Sequence, residues 1–421
     1  MSARAMPAVV LMLIFCAGAP VPAPAAAPAT QRAGHQHGGA PGDGVTSFDV
    51  CVDGPRVHLL TVHAFSSSAN GETRAYELRY QRSTDGGASW SQPVLVGRGQ
   101  PTPEIAKRGM DVQIAATGEH LVAAWTAKGT KDKYGRGALV TAISSDGGQT
   151  WRAGHDPADD GDKDLGRAFI DIAADNGGAF HLVWLDGRGG DGKGLIYARS
   201  TDGGATWSKD VVLDAACCEC CWNTVMCAPD GRVYVLYRDV APRDMSIVRS
   251  DDSGNTWSAP ATVGRFGWNA SVCPHVGGAL AVLRHDSKSS LHTVVWTGHE
   301  SASGAYALGS TDDGATWTHP QPLGGPSSGA WHADITSDAS TLAVAWDAYT
   351  ESGTAIFASV STDAGRSWSP PTRLSAEHAT ATHPRVIPSG DSFRVIWTEQ
   401  RSAAATMLVV KPLSPALPGA P

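Results

Sequence analysis

Residues 217–221 read CCECC, placing four thiols in five residues, with Cys227 close behind. Such a density has three chemical uses. The cysteines can staple a loop through disulfides in an oxidising compartment. They can hold a soft metal, copper or zinc, because Cys217/Cys220 and Cys218/Cys221 are each spaced C-x-x-C. They can also exchange disulfides. Adjacent cysteines pair with each other only under strain, so staples would reach to Cys227 or Cys273. Cys273 and His275, in SVCPH, complete the candidate metal set Cys217, Cys218, Cys220, Cys221, Cys273 and His275. All three uses stay open on the sequence.

A second chemistry lies in short segments that follow apolar runs. LDGR (185–188) carries Asp186 and Arg188, RDVAPRD (238–244) carries Arg238, Asp239, Arg243 and Asp244, and TEQR (398–401) carries Glu399 and Arg401. PTPEIAKRGMD (101–111), WHAD (331–334) and ATHPR (381–385) add Arg108, His332, Asp334, His383 and Arg385. Scattered over a surface, such charges form ion pairs of little energetic weight. Gathered on one concave face, several guanidinium forks suit a carboxylate or sulfate ligand. What matters is the frame that holds them.

That frame is a repeat. STDGGASW, SSDGGQTW, STDGGATW, SDDSGNTW, STDDGATW and STDAGRSW place Asp85, Asp146, Asp202, Asp252, Asp312 and Asp363 in six copies of S-x-D-x-G-x-[ST]-W. Each copy reads as a hairpin turn. The carboxylate accepts from turn amides, Gly supplies a positive φ, and the Trp packs back on its own hairpin. Between the boxes runs a second repeat, an apolar strand ending in an aromatic: Trp125, Trp184, Tyr237, Trp296, Trp346 and Trp397. Each unit is therefore strand A, turn, strand B, loop, strand C, box, strand D, which is a propeller blade. The expected fold is an all-β propeller of six or seven four-stranded blades. Seven units can be counted, and the last, from HPRVIPSG onward, supplies A, B and C without a box.

The boxes resemble the Asp-box (BNR) repeats of the sialidase, or neuraminidase, superfamily over nearly all of the chain after Ser47. The resemblance implies a structural role for all six Asp. It also implies a ligand face made of B–C and D–A loops, opposite the rim that carries the boxes. A working sialidase has three arginines for the substrate carboxylate, a Tyr nucleophile with a Glu partner, and an Asp acid/base. APDGRVYVLYR resembles the segment ending in the second of those arginines, which carries over onto Arg238. The remaining elements depart from the pattern. FDVCVDGPRVHLL lacks an Arg-Ile-Pro tripeptide, the fifth unit lacks an arginine before its third strand, and HPRVIPSG stands where a Tyr-Ser pair belongs. CCECC occupies the region of the Glu partner, and Tyr349 with Glu351 is the one displaced alternative.

Composition narrows the class. A net charge of −8 argues against a nucleic-acid partner, which would need a basic face. The N-terminal AVVLMLIFCAGA after Arg4, followed by APAAAPA, reads as a signal peptide over 1–29. A disordered leader is expected over 30–46, one propeller domain over 47–412 and a disordered tail over 413–421. No later apolar run reaches membrane-spanning length. Export to the periplasm or medium leaves seven of the eight cysteines, so at least one is unpaired, metal-bound or joined to another chain. The sequence thus predicts an exported monomer binding an anionic carbohydrate or other anionic ligand on an Arg-rich face beside the cysteine loop, with Cu or Zn as the candidate metals. The alternative is an exo-α-sialidase-type hydrolase acting on a sugar acid.

Overall fold

The computed structural model describes residues 43–67, 74–162, 164–188, 193–270, 272, 274–285, 288–325, 328–402 and 404–414. The signal segment, most of the leader, Cys273 and the tail from 415 lie outside the described residues. Seven antiparallel sheets follow one another along the chain, six of four strands and a last one of three. Their innermost A strands are Gly44–Asp53, Gln113–Thr117, Ala168–Ala174, Thr224–Cys227, Ala279–His285, Ala330–Asp338 and Ala379–Ser389. Each A strand contacts the next, and the seventh returns to the first, so the ring closes as a seven-bladed propeller. A backbone bond from Val45 N to Thr406 O, 2.8 Å, ties the first strand to the last blade. Among the described residues no helix is long and apolar enough to cross a membrane.

The apolar strands do what their pattern requires. The B-strand aromatics Trp125, Trp184, Tyr237, Trp346 and Trp397 are at most 1% exposed, and they pack between neighbouring sheets. Burial of this kind, recurring in five of the seven blades, is a main source of cohesion among the described residues.

All six boxes follow a C strand, and their turns are alike. In the third, Asp202 Oδ1 accepts from Ser200 Oγ (2.8 Å) and Thr206 N (2.8 Å), while Oδ2 accepts from Thr206 Oγ1 (2.6 Å). Ser200 Oγ in turn accepts from Gly204 N at 2.9 Å. Two consecutive residues take positive φ in each turn, Gly203 (72°) and Gly204 (83°) here. The boxes lie beside the A–B turns of the preceding blade, as the bond from Ser253 Oγ to Asp175 Oδ2 (2.6 Å) shows.

Three expectations are corrected. Strand A of blade 1 begins at Gly44, inside the stretch expected as leader. Box tryptophans reach across to the preceding blade as well as to their own turn: Trp151 meets Tyr80 edge-on at 5.3 Å, and Trp257 meets Tyr197 at 4.8 Å. WHAD and ATHPR are bulged parts of A strands rather than loops. Register slips between Trp331 and Asp334, and again between Thr382 and Arg385. A bulge turns a side chain out of the pleat, and it does so here at a histidine in each case.

Candidate functional site

Polar residues recur at one register of the A strands and line the inside of the ring. Each acid among them joins two blades. Asp49 Oδ2 accepts from Ile114 N (2.9 Å), Asp171 Oδ2 from Val225 N (2.7 Å), and Asp334 Oδ2 from Val386 N (2.8 Å). Gln113, with its amide turned to satisfy both neighbours, donates to Asp171 (2.9 Å) and Asp49 (3.1 Å). Arg385 stands between Asp49 (3.8 Å) and Asp334 (4.0 Å) without a hydrogen bond among the described residues. Burial pushes the Asp49 carboxyl up to about 6 and the Asp171 carboxyl up to about 8, the latter helped by the Asp49 charge. Burial also raises Asp334. At neutral pH Asp171 is therefore mostly protonated, and the channel wall carries less negative charge than its residue count implies.

Above this ring, on the D–A side, opens a recess. Its lining comes from the D–A segment 108–111, the entry of strand A in blade 3, Trp222 and Asn223, and the two bulges at His332 and His383. None of the six box Asp lines it, so it lies on the face the sequence assigned to ligand. Phe169, His332 and His383 hold positive φ of 52°, 29° and 50°. Backbone strain of this sort costs about 1–3 kcal/mol per residue and concentrates where geometry serves a function.

The histidine rings stack face to face, 3.7 Å between centroids and 14° apart in plane. Trp222 packs against both, at 5.5 and 5.7 Å. Asp347, 1% exposed, organises the pair. It lies 3.0 and 2.8 Å from His332 Nδ1, and accepts from Thr382 Oγ1 (2.8 Å) and His383 N (2.9 Å). Thr382 Oγ1 is also 2.5 Å from His383 Nδ1, so both Nδ1 atoms are tied to one carboxylate. Arg108 braces the wall, bonding Asp111, Phe48 O (3.0 Å) and His383 O (2.5 Å). Burial pulls its guanidinium down in pKa.

Of the expected ligand residues, Arg108, His332, His383 and Arg385 meet in the recess. The others do not. Arg238, 1% exposed, donates to Val276 O (3.2 and 3.3 Å), Arg243 O (2.6 Å) and Trp296 O (2.7 Å), and lies over Trp268 and Trp296. It holds backbone carbonyls between blades. Asp244 accepts from Gly267 N (2.7 Å) and Trp268 N (3.2 Å), and Asp239 accepts from Val240 N (2.7 Å) and Ser246 Oγ (3.3 Å). Asp186/Arg188 and Glu399/Arg401 are two copies of one clip at the end of a B strand. Trp184 Nε1 donates to Asp186 (3.0 Å) and Arg188 Nε to the same carboxylate (2.8 Å). In blade 7 Trp397 donates to Glu399 (3.0 Å) and Arg401 Nε to Glu399 (2.7 Å). Both acids are at most 1% exposed, so the clips read as architecture.

The cysteine loop divides in the same way. Cys217 ends strand D of blade 3, its thiol on Lys193 O (3.3 Å), with burial and then Asp214 pushing its pKa up. Cys220 is disulfide-bonded. Cys218 and Cys221 remain thiols with sulfurs 3.4 Å apart, and Arg243 Nη1 sits 3.3 Å from Cys218 Sγ. The Cys221 thiol, then Arg238 and Arg243, pull Cys218 down to about 6, whereas burial pushes Cys221 up. His275 Nδ1 lies 3.1 Å from Cys220 O. A four-thiolate centre is thus not assembled here. Cys218, Cys220 and Cys221 are the sulfurs that cluster among the described residues, and one of the three is already oxidised.

The model of the BNR repeat-like domain matches residues 58–292, more than half of the chain. The chain belongs to the BNR repeat-like family. Among curated proteins no sequence matches. Among solved structures this BNR propeller is similar to the polysaccharide lyase Uly1, with a TM-score of 0.52 at 10% identity over 93% of this chain and 94% of that one. That likeness shows the fold. The Hadza microbial sialidase Hz136 aligns at 0.46 and 16% identity, over 80% of this chain and 73% of that chain. The intramolecular trans-sialidase from Ruminococcus gnavus aligns at 0.45 and 14%, over 89% and 95%.

Four residues of the BNR site escaped the sequence reading: Gln113, Asp171, Trp222 and Asp347. A signal existed for two of them. FDV, DVQI, FIDI, HADI and HPRV place Asp49, Gln113, Asp171, Asp334 and Arg385 at one register of the A strands. Aligning the units on strand A, rather than on the boxes, would have shown it.

Proposed function

We propose that this propeller binds the acidic end of a glycan in the recess and does not hydrolyse it. Arg385 carries this reading. Its guanidinium faces the recess with no hydrogen bond among the described residues and only long pairings to Asp49 and Asp334. A planar fork in that state suits a carboxylate. Trp222 beside it offers an apolar face to a sugar ring, and protonation of Asp171 at neutral pH lowers the repulsion an anion would meet. The signal segment is consistent with an exported protein meeting glycans outside the cytoplasm. Hydrolysis of the sialidase kind finds less support, because among the described residues no tyrosine lines the recess and Arg238 is spent on carbonyls. Calorimetry against sialic-acid and uronic-acid oligosaccharides tests the reading. Arg385→Gln should weaken binding about tenfold or more, and a fluorogenic sialoside should give no product above a blank. Sialoside turnover, or binding indifferent to Arg385→Gln, would sink it.

A further inference from the structure

We propose that His332, His383 and Asp347 form a binding site for one divalent transition-metal ion, zinc or copper, separate from the cysteine loop and not required by the glycan reading. One potential ligand atom from each of the three lies within 4.8 Å of the others. In the tightest pair, His332 Nδ1 and Asp347 are 2.8 Å apart at Oδ2. Ligand atoms around a tetrahedral ion with bonds of about 2.0–2.1 Å stand roughly 3.3 Å from one another. The tightest pair is therefore about half an ångström short of that spacing, and the two stacked rings must also rotate apart, because each imidazole lone pair lies in its own ring plane. Two imidazoles and one carboxylate are a donor set that suits zinc, copper or iron.

The metal-free network has the form such a site takes when protons stand in for the ion. His332 Nδ1 bonds Asp347, and His383 Nδ1 reaches the same carboxylate through Thr382 Oγ1. An ion entering there displaces hydrogen bonds. Each neutral ring moves its proton from Nδ1 to Nε2, so neither imidazole changes charge. Two further observations fit. Both histidines sit on A-strand bulges at positive φ, which brings imidazoles from two blades to one carboxylate. On the recess side, a Cβ at Gly109 would come within 3.1 Å of His383 Nε2, and Gly109 has none.

Metal-free full-length protein, prepared by chelation, should take up one equivalent of zinc in competition with a chromophoric chelator. That equivalent should survive in the Cys218→Ser/Cys221→Ser variant. It should weaken about 100-fold in His383→Gln and in Asp347→Asn, compared at equal helix-free circular dichroism. Where a variant does not fold, copper(II) bound to the wild-type protein gives the second readout: EPR with superhyperfine splitting from two imidazole nitrogens. No zinc or copper uptake by the wild type, uptake lost with the cysteines and kept without His383, or a copper spectrum lacking nitrogen coupling would each overturn the site. Sugar binding is not measured in any arm, so the glycan reading and this one fail independently.

Discussion

The two rims of this propeller are made from the same repeating unit and have opposite uses of polar residues. On the box rim each of the six box aspartates is turned inward on its own turn, as Asp202 spends both oxygens within four residues. Cross-blade bonds there come from other residues, Arg232 to Asp313 and Ser253 to Asp175. On the D–A rim, polar side chains reach across blades, as Asp347 does to His332 and His383, or Arg108 to Phe48 and His383. Local bonds make a rim that tolerates variation at the position after Asp, where Gly, Ser, Asp and Ala all occur. Long-range bonds make a rim whose chemistry depends on the ring being closed. A similar contrast holds within the D–A rim. Arg238 is an arginine consumed by carbonyls, and Arg385 is one held ready by distant carboxylates.

Arg238→Ala should break that second contrast most visibly. It leaves carbonyls of Val276, Arg243 and Trp296 unpaired in a dry interior and should cost about 3–5 kcal/mol in denaturant unfolding. Binding by the fraction that folds should be unchanged, and a folded variant with lost affinity would place Arg238 in the site after all.

The axial acids give a pH test of intermediate size. Asp171 is faced by Asp49, Gln113 and Arg385 and accepts from Val225 N and Ile172 N. Burial raises its folded pKa from the ordinary carboxylate value of 3.8 to about 8, so the folded state holds the proton more tightly. Ionisation then works against folding, and stability declines as pH rises from about 4 to about 8. Asp171→Asn removes the titration and keeps an acceptor for Val225 N. It should gain about 1–3 kcal/mol over wild type at pH 9 and nothing at pH 4. Parallel stability curves across that range would show that Asp171 ionises freely.

A smaller effect is expected at the boxes. Asp202→Ala removes the bonds from Ser200, Thr206 N and Thr206 Oγ1 and should lower stability by about 1–2 kcal/mol. Glycan and zinc affinities should be those of wild type, since the turn lies on the other rim. A selective affinity loss in the folded variant would reverse the assignment of the faces.

The blade plan was legible because it is local. Six boxes, their spacing and the apolar strands between them give seven units, and turn chemistry tells C–D from D–A connections without any knowledge of the whole. The boxless seventh unit appears as a three-stranded sheet. The candidate site was legible as a face and not as a set of partners. His332 and His383, 51 residues apart, could be put on one rim from the sequence, but their stacking follows from two bulges and a closed ring. Charge-rich loops overstated the ligand face for the same reason: Asp186/Arg188 and Glu399/Arg401 look identical to binding residues until their tryptophan partners are seen.

By itself, then, the sequence determined the repeat, the turn chemistry of each box and the all-β class, because all of these depend on contacts within a few residues or on a period. Only the tertiary structure decided which arginine is spent and which is available, which cysteines remain thiols, and which acids change their protonation. Those outcomes depend on burial and on neighbours from other blades, and a side chain's desolvation is fixed only when the ring has closed around it.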